Sequence, residues 1–346
     1  MHGKVTDKMT IASIDSAPPV TAPEPSNMTE LAARRDWIIF AFLIAAMWII
    51  PLSLGGFYLY LGTFIAIYAI GALSLQVMVG LAGQLSLGHA AFVGIGAYVT
   101  VLLQKNLAVP FPLAALAGTV ASALAGLLMA QLVRLSGIYF KVATFGFGVI
   151  VYQIMTNWAT MTGGHTGLRG IPPITFFAFD IKTRQELFVL VACTLTLVYF
   201  ILVKLTQGSF GRALRAIGQN ERAAQSVGIP TVRYRMIVIV IGSAIAGLGG
   251  SFLPQLLKFL NPESFTWHES LLFLIMIALG GFGSLPGAVI GAAILTILPE
   301  YLRDFAEYKM FVYGIVLLLA MMFMPKGLVG LFAGLWRKLP IHGARA

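Results

Sequence analysis

Charge is what this sequence has least of. Only 10% of its 346 residues are Asp, Glu, Lys or Arg, against about 25% in an ordinary soluble domain. A water-exposed surface cannot be clothed with so few charges, so lipid is the main solvent of the chain. Cysteine is nearly absent too. Cys193 stands alone, which excludes an internal disulfide and a cysteine-based metal site, and its place in an apolar run points to packing. No G-x-x-x-x-G-K-[ST] phosphate loop occurs, so the chain does not itself carry that kind of nucleotide site. No carboxylate pair, metal cluster or nucleophile with a base is evident. His2, His89, His165, His268 and His342 are scattered, which argues against a membrane enzyme.

What the sequence has in abundance is uncharged apolar length. Residues 37–104, 106–133, 142–168, 187–203, 236–257 and 270–299 contain no Asp, Glu, Lys or Arg. A spanning helix needs roughly 20 mostly apolar residues, and a charge at the bilayer centre costs about 2.5–3.5 kcal/mol on insertion scales. The runs therefore predict an all-α, polytopic transmembrane helix bundle of about 8–10 spans, some broken or re-entrant at glycine-rich segments. A β-barrel is excluded because its strands would alternate polar and apolar residues. The expected spans are 37–54, 57–79, 85–103, 110–133, 140–160, 187–203, 236–256, 268–282, 285–302 and 310–330. None is expected to hold a charged residue at its centre.

The domain organisation follows. Residues 1–36, with Pro18, Pro19, Pro23 and Pro25, read as a disordered cytoplasmic tail. Residues 37–335 form the transmembrane domain, with a charged connection at 204–235, and 336–346 form a second cytoplasmic tail. The net charge of +10 does not indicate nucleic acid, because the cations lie in loops beside spans. With the N-terminus inside, 16 of the 23 Lys and Arg fall on the inner side, which favours both termini inside and an even number of spans.

Small residues recur at four-residue spacing. Gly118, Ser122 and Gly126 form one row. Gly242, Ala246 and Gly250, beside Ser243, Gly247 and Ser251, form a second. Gly283, Gly287 and Gly291 form a third. Such rows let helix backbones approach closely, either for general packing or to line a translocation path. The stretch GLAGQLSLGHAAFVGIGAY at Gly80–Tyr98 has too many glycines for a plain spanning helix, since each costs about 1 kcal/mol in a helix interior. Gln84, Ser86 and His89 add polarity without charge. Two readings stand: a broken helix at a substrate path, or a tight turn near the inner face. Gly83, Gln84, Leu85 and Gly88 find an echo in Gly283, Ser284, Leu285 and Gly287. Paired interruptions mark the path in repeat-built transporters, so Gly83, Gln84, Ser86, Gly88, His89, Gly283, Ser284 and Gly287 are the candidate path residues.

The loop KLTQGSFGRALRAIGQNERAAQSVGIPTVRYR at Lys204–Arg235 alternates Leu214, Ile217, Ala223, Ala224 and Val227 with Arg212, Arg215, Glu221 and Arg222. One or two short amphipathic helices are expected, ending near Val227 where Gly228 and Pro230 follow. The loop is either a solvated inner-face connection or a docking element. Its Glu221–Gly228 stretch, ERAAQSVG, resembles the EAA loop of ABC importer permeases. The pair Ala223-Ala224 and the glycine match that pattern, with one extra residue after Glu221. The resemblance implies a coupling helix seated in a groove of an ATPase, carried by Gly211, Arg212, Arg215, Glu221, Ala223, Ala224 and Gly228.

Together with TGGHTGLRGIP at Thr162–Pro172 and GGFGSLPGAVIGA at Gly280–Ala292, these stretches resemble the branched-chain amino acid ABC permeases of the LivH/LivM type, most nearly the LivM side, over about residues 60–330. The resemblance implies a transport subunit of the bacterial inner membrane, moving branched-chain or other hydrophobic amino acids inward by alternating access. It implies a second homologous permease, two cytosolic ABC ATPases and a periplasmic substrate-binding protein as partners, besides the bilayer. ATP and magnesium would be used by those partners, with no cofactor on this chain. Thr162–Pro172 would face the binding protein. Urea or a short amide is the alternative cargo, and a stand-alone carrier or channel for a small neutral solute is the alternative class.

Overall fold

The computed structural model describes residues 55–301 except 136 and 177–179, together with isolated helical positions at 311, 312, 314, 315, 318 and 328. The expected tails, the span 37–54 and most of the span 310–330 lie outside the described residues, so the placement of the two termini does too.

Apolar backbone in lipid must satisfy its own hydrogen bonds, and the uncharged runs do so as helices. These are α1 (Gly56–Gln76), extended by a π turn at Val77–Leu81, α2 (His89–Leu107), α3 (Phe111–Ala130) and α4 (Ile138–Asn157). A single turn α5 (Ala159–Thr162) and the long α6 (Arg184–Gln207) follow, then two short helices, α7 (Ser209–Gln219) and α8 (Glu221–Ser226). The chain continues through α9 (Thr231–Leu257), α10 (Trp267–Gly280) and α11 (Leu285–Tyr301). Six of the helices are long and apolar enough to cross a membrane, which fits a polytopic helical membrane protein. Two antiparallel pairs of two-residue strands occur: β1 (Leu168–Arg169) with β4 (Phe259–Leu260), and β2 (Ile174–Thr175) with β3 (Asp180–Ile181). They mark one end of the bundle, the β end. The opposite end carries α7 and α8.

The three rows of small residues are the seams of this bundle. Gly118 and Gly126 of α3 lie against Gly96 of α2 and Ser243 of α9, and Ser122 lies against Gly247. Ser122 also donates a 2.8 Å hydrogen bond to the Phe92 carbonyl. Gly287 and Gly291 press against Gly280 and the Met276 carbonyl of α10. Cys193 departs from its expected packing role. The face of α6 that turns inward carries Val191, Ala192 and Leu195, and Cys193 is exposed on the other side.

Two of the expected spans differ from plain membrane crossings, each for its own reason. Residues 82–88 are not helical, and α2 begins at His89 rather than near residue 85. The backbone groups freed there find partners across the bundle. The Leu87 N–H donates to Thr144 Oγ1 of α4 at 3.1 Å, and the Ala90 N–H donates to Ser270 Oγ of α10 at 2.9 Å. Helix α10 has 14 residues, about 21 Å, against a hydrocarbon core of roughly 30 Å. It starts inside the bundle because the connection before it folds inward: β4 pairs with β1, and Phe265 is buried against Gly94.

Candidate functional site

Helices α7 and α8 hang from the end of α6 and return the chain to α9. Leu214, Ile217 and Ala224 are buried and anchor the pair. Arg212 and Arg215 reach back to the Gln207 and Thr206 carbonyls, at 3.3 and 3.0 Å. They thus satisfy the orphan acceptors at the end of α6, where a cation is also favoured by the helix dipole. Gly211 is pressed on the Thr206 backbone. Asn220 caps α8 through a 3.1 Å bond from the Ala223 N–H. At its other end the Gly228 N–H bonds to the Gln225 carbonyl and the Ile229 N–H to that of Ala224. This is a Schellman ending, and it needs the φ of +83° that Gly228 adopts. Glu221 forms a 2.6 Å ion pair with Arg235 of α9, which ties α8 to the helix that follows. Arg222, Ala223, Gln225, Ser226 and Val227 are left on the surface, Val227 at 74% exposure.

The two glycine-rich interruptions meet at this same end. Gly218 of α7 lies against the Leu81 carbonyl and beside Gly83, where the chain leaves α1. Gly83 takes a φ of +67° and turns the chain back into the bundle. Gln84 donates its N–H to the Met78 carbonyl, and Ser86 and Gln84 are buried. Gly88 is packed on the α4 backbone at Thr144. Gln76 Nε2 donates to the Gly281 and Ser284 carbonyls at 2.9 and 3.0 Å, and Gly80 packs on the Gly283 backbone. Ser284 Oγ accepts from the Gly287 N–H. His89, fully buried, lies deeper, 2.7 Å from Ser74 Oγ and 3.2 Å from the Gly71 carbonyl. The Ser86 hydroxyl and His89 Nδ1 have no hydrogen-bond partner among the described residues. The two interrupted segments thus touch through Gly80 and Gly283, while Gly88 packs on α4 and His89 lies deeper against α1.

Gln76, Gly218, Ser74 and Ser270 complete this arrangement, and sequence reasoning did not select them. The expectation that no span holds a charge inside also meets an exception. Glu269, at the edge of an uncharged run, is carried inward because α10 begins within the bundle. Its Oε2 accepts from the Tyr68 hydroxyl at 3.2 Å. At the β end a cavity of about 450 Å³ is lined by Tyr60, Lys182, Arg184, Gln255 and Lys258 among others. Partial loss of hydration lowers the pKa of Lys258. Among the described residues, no three His, Cys, Asp or Glu side chains come together as metal ligands would.

Comparison with known proteins supplies the frame for this geometry. The family model described as "Branched-chain amino acid transport system / permease component" matches residues 57–321. The high-affinity branched-chain amino acid transport system permease protein LivM of Salmonella typhimurium is 32% identical over 320 residues, covering 86% of this chain and 75% of LivM. LivM of Escherichia coli K12 gives the same identity and coverage. LivH of Escherichia coli K12 is 32% identical over 156 residues, 44% of this chain and 50% of LivH.

Proposed function

The chain belongs to the branched-chain amino acid transport permease family, and from that membership we propose that it moves branched-chain amino acids into the cell as one permease of an ATP-driven importer. The α7–α8 element is its coupling device. A second homologous permease, two cytosolic ATPases and a periplasmic binding protein complete the assembly. The ATPases use ATP and magnesium, and this chain performs no hydrolysis. It sits in the inner membrane with the α7–α8 end in the cytosol and the β end, including Thr162–Pro172, toward the binding protein. The excess of Lys and Arg on the inner side supports both termini lying in the cytosol.

One observation carries the reading. The surface offered by Arg222, Ala223, Gln225 and Val227 is mounted on α7, and α7 touches the break in α1 through Gly218. The bend between α10 and α11 is fastened to the same break through Gln76 and Gly80. ATP-driven movement of α7–α8 would therefore reach both interrupted segments in one step. A packed backbone contact transmits such displacement because tightly filled interiors yield little.

The test is uptake of labelled leucine, isoleucine or valine by proteoliposomes containing this chain with its partner permease and ATPases. Loaded binding protein is supplied outside and ATP inside. ATP-dependent accumulation is expected. Uptake at the same rate without the ATPases would overturn the importer reading, and exclusive uptake of urea or a short amide would overturn the cargo.

A further inference from the structure

Glu269 is a carboxylate carried inward with no cation beside it among the described residues. Its partner Tyr68 is twelve residues along α1 from Gly56, about 18 Å from the β end by helical rise. The Tyr68 hydroxyl donates to Oε2, and Oε1 has no hydrogen-bond partner among the described residues. No Lys or Arg of the described residues pairs with it. An ionised carboxylate offers about four acceptor positions, and an intramembrane carboxylate without a partner is costly. The side chain is half-buried rather than sealed, and it borders a cavity of about 10 Å³, room for roughly one water.

We propose that Glu269 receives the α-ammonium group of the zwitterionic cargo on its passage through the bundle. This rests on the amino-acid importer reading. An ammonium brings three donors and one positive charge, which is what Oε1 and the unpaired charge lack. Phe273 and Tyr68 stand beside the site, their ring centroids 5.4 Å apart, and aromatic faces stabilise ammonium groups. Ile67, Val93 and Leu253 give the same small cavity apolar walls. The glycine faces of Gly249 and Gly250 keep the wall thin on the α9 side.

The β end of the bundle carries charge of the opposite sign in a separate cavity. The cavity at the β end presents Lys182, Arg184 and Lys258 beside Tyr60. From Tyr60 the rings of Phe64, Tyr68 and Phe273 follow at centroid spacings of 6.0, 4.7 and 5.4 Å. Glu269 lies at the inner part of this ladder. A basic entrance disfavours simple cations and favours a group that also carries a carboxylate. The carboxylate of a zwitterion would stay toward the basic entrance while its ammonium is drawn to Glu269.

The experiment uses the complete transporter in proteoliposomes, with loaded binding protein, internal ATP and labelled leucine. Glu269→Gln keeps the size and an acceptor for Tyr68 but removes the charge. Glu269→Asp keeps the charge. Uptake is expected to fall about tenfold or more in Glu269→Gln and to stay within about threefold of wild type in Glu269→Asp. Wild-type uptake by Glu269→Gln, or equal losses in both variants, overturns the proposal. So does wild-type uptake that stops when a proton or sodium gradient is collapsed at constant ATP, which would make Glu269 a coupling-ion site. If the wild-type complex imports no amino acid, the importer reading falls and this inference with it. Wild-type import with normal Glu269→Gln import overturns the inference alone.

Discussion

Gly218 of α7 faces the carbonyl oxygen of Leu81 at the end of α1 so closely that a Cβ on residue 218 would sit 2.5 Å from it. The contact is backbone on backbone, so no side chain can swing aside to relieve an intrusion. Gly218→Val should force α7 away from the break in α1. Transport is expected to fall about tenfold or more while ATP hydrolysis by the assembled complex continues. Paired measurement of uptake and phosphate release checks this, and a normal ratio of the two would show that the contact transmits nothing.

Gln76 makes the corresponding connection to the second interruption. Its amide donates to two carbonyls at the bend, those of Gly281 and Ser284. Each bond is worth about 0.5–1.5 kcal/mol net, and a buried acceptor left empty costs about 1–3 kcal/mol. Gln76→Leu keeps much of the volume and removes both donors. It is expected to destabilise the bend by about 2–3 kcal/mol. Hydrogen exchange at residues 281–285 should rise in the variant, with exchange in α3 and α9 unchanged. Equal protection in both proteins would mean that the bend stands on helix packing alone.

The contrast between these residues and the ones chosen from the sequence shows where sequence reading works. Uncharged runs mark helices because lipid leaves the backbone no other partner, and most expected spans matched. Gly228 announced the end of α8 by local rules, since the αL ending is written within six residues. Gly218 and Gln76 carry no such signal. Their roles lie in contacts with Leu81 and with Gly281 and Ser284, far away in sequence. Glu269 carries no such signal either: it stands at the rim of an uncharged run, and only the fold of residues 258–266 carries the start of α10 inward. The one cue available was that Tyr68 and Glu269 both fall in expected spans, which is too common a coincidence to select them. Arg212 and Arg215 stand in the expected coupling loop, and their bonds to the end of α6 are a further role that only the fold reveals.

Glu221 and Arg235 offer a thermodynamic handle on the α7–α8 element. Their ion pair is partly shielded, with side-chain exposures of 37% for Glu221 and 14% for Arg235, so solvent screening weakens it less than at an open surface. A double-mutant cycle of Glu221→Gln and Arg235→Gln should give a coupling energy of about 1–2 kcal/mol. Thermal unfolding in detergent reads the stability, and protease accessibility near Val227 reads the detachment of α8. Additive single effects would show that the pair does not hold α8 to α9.

Two helix ends pose the same conformational demand and answer it differently. After α8 the chain reaches positive φ at Gly228, where nothing lies within 4 Å of an added Cβ. After α2 it does so at Ala108, with φ of 50° and ψ of 30°. A non-glycine residue in this region costs about 1–2 kcal/mol. Exchanging Ala for Gly gives back about 0.4–1 kcal/mol through the freer unfolded chain. Ala108→Gly should therefore stabilise by about 0.5–1 kcal/mol, and Gly228→Ala should destabilise α8 by a similar amount. Because the space at Gly228 is open, Gly228→Leu should destabilise the isolated chain no more than Gly228→Ala does. A larger loss of transport in Gly228→Leu than in Gly228→Ala, at equal thermal stability, would then come from the partner ATPase pressing on that surface. Equal transport in both variants would leave Gly228 with a purely conformational role.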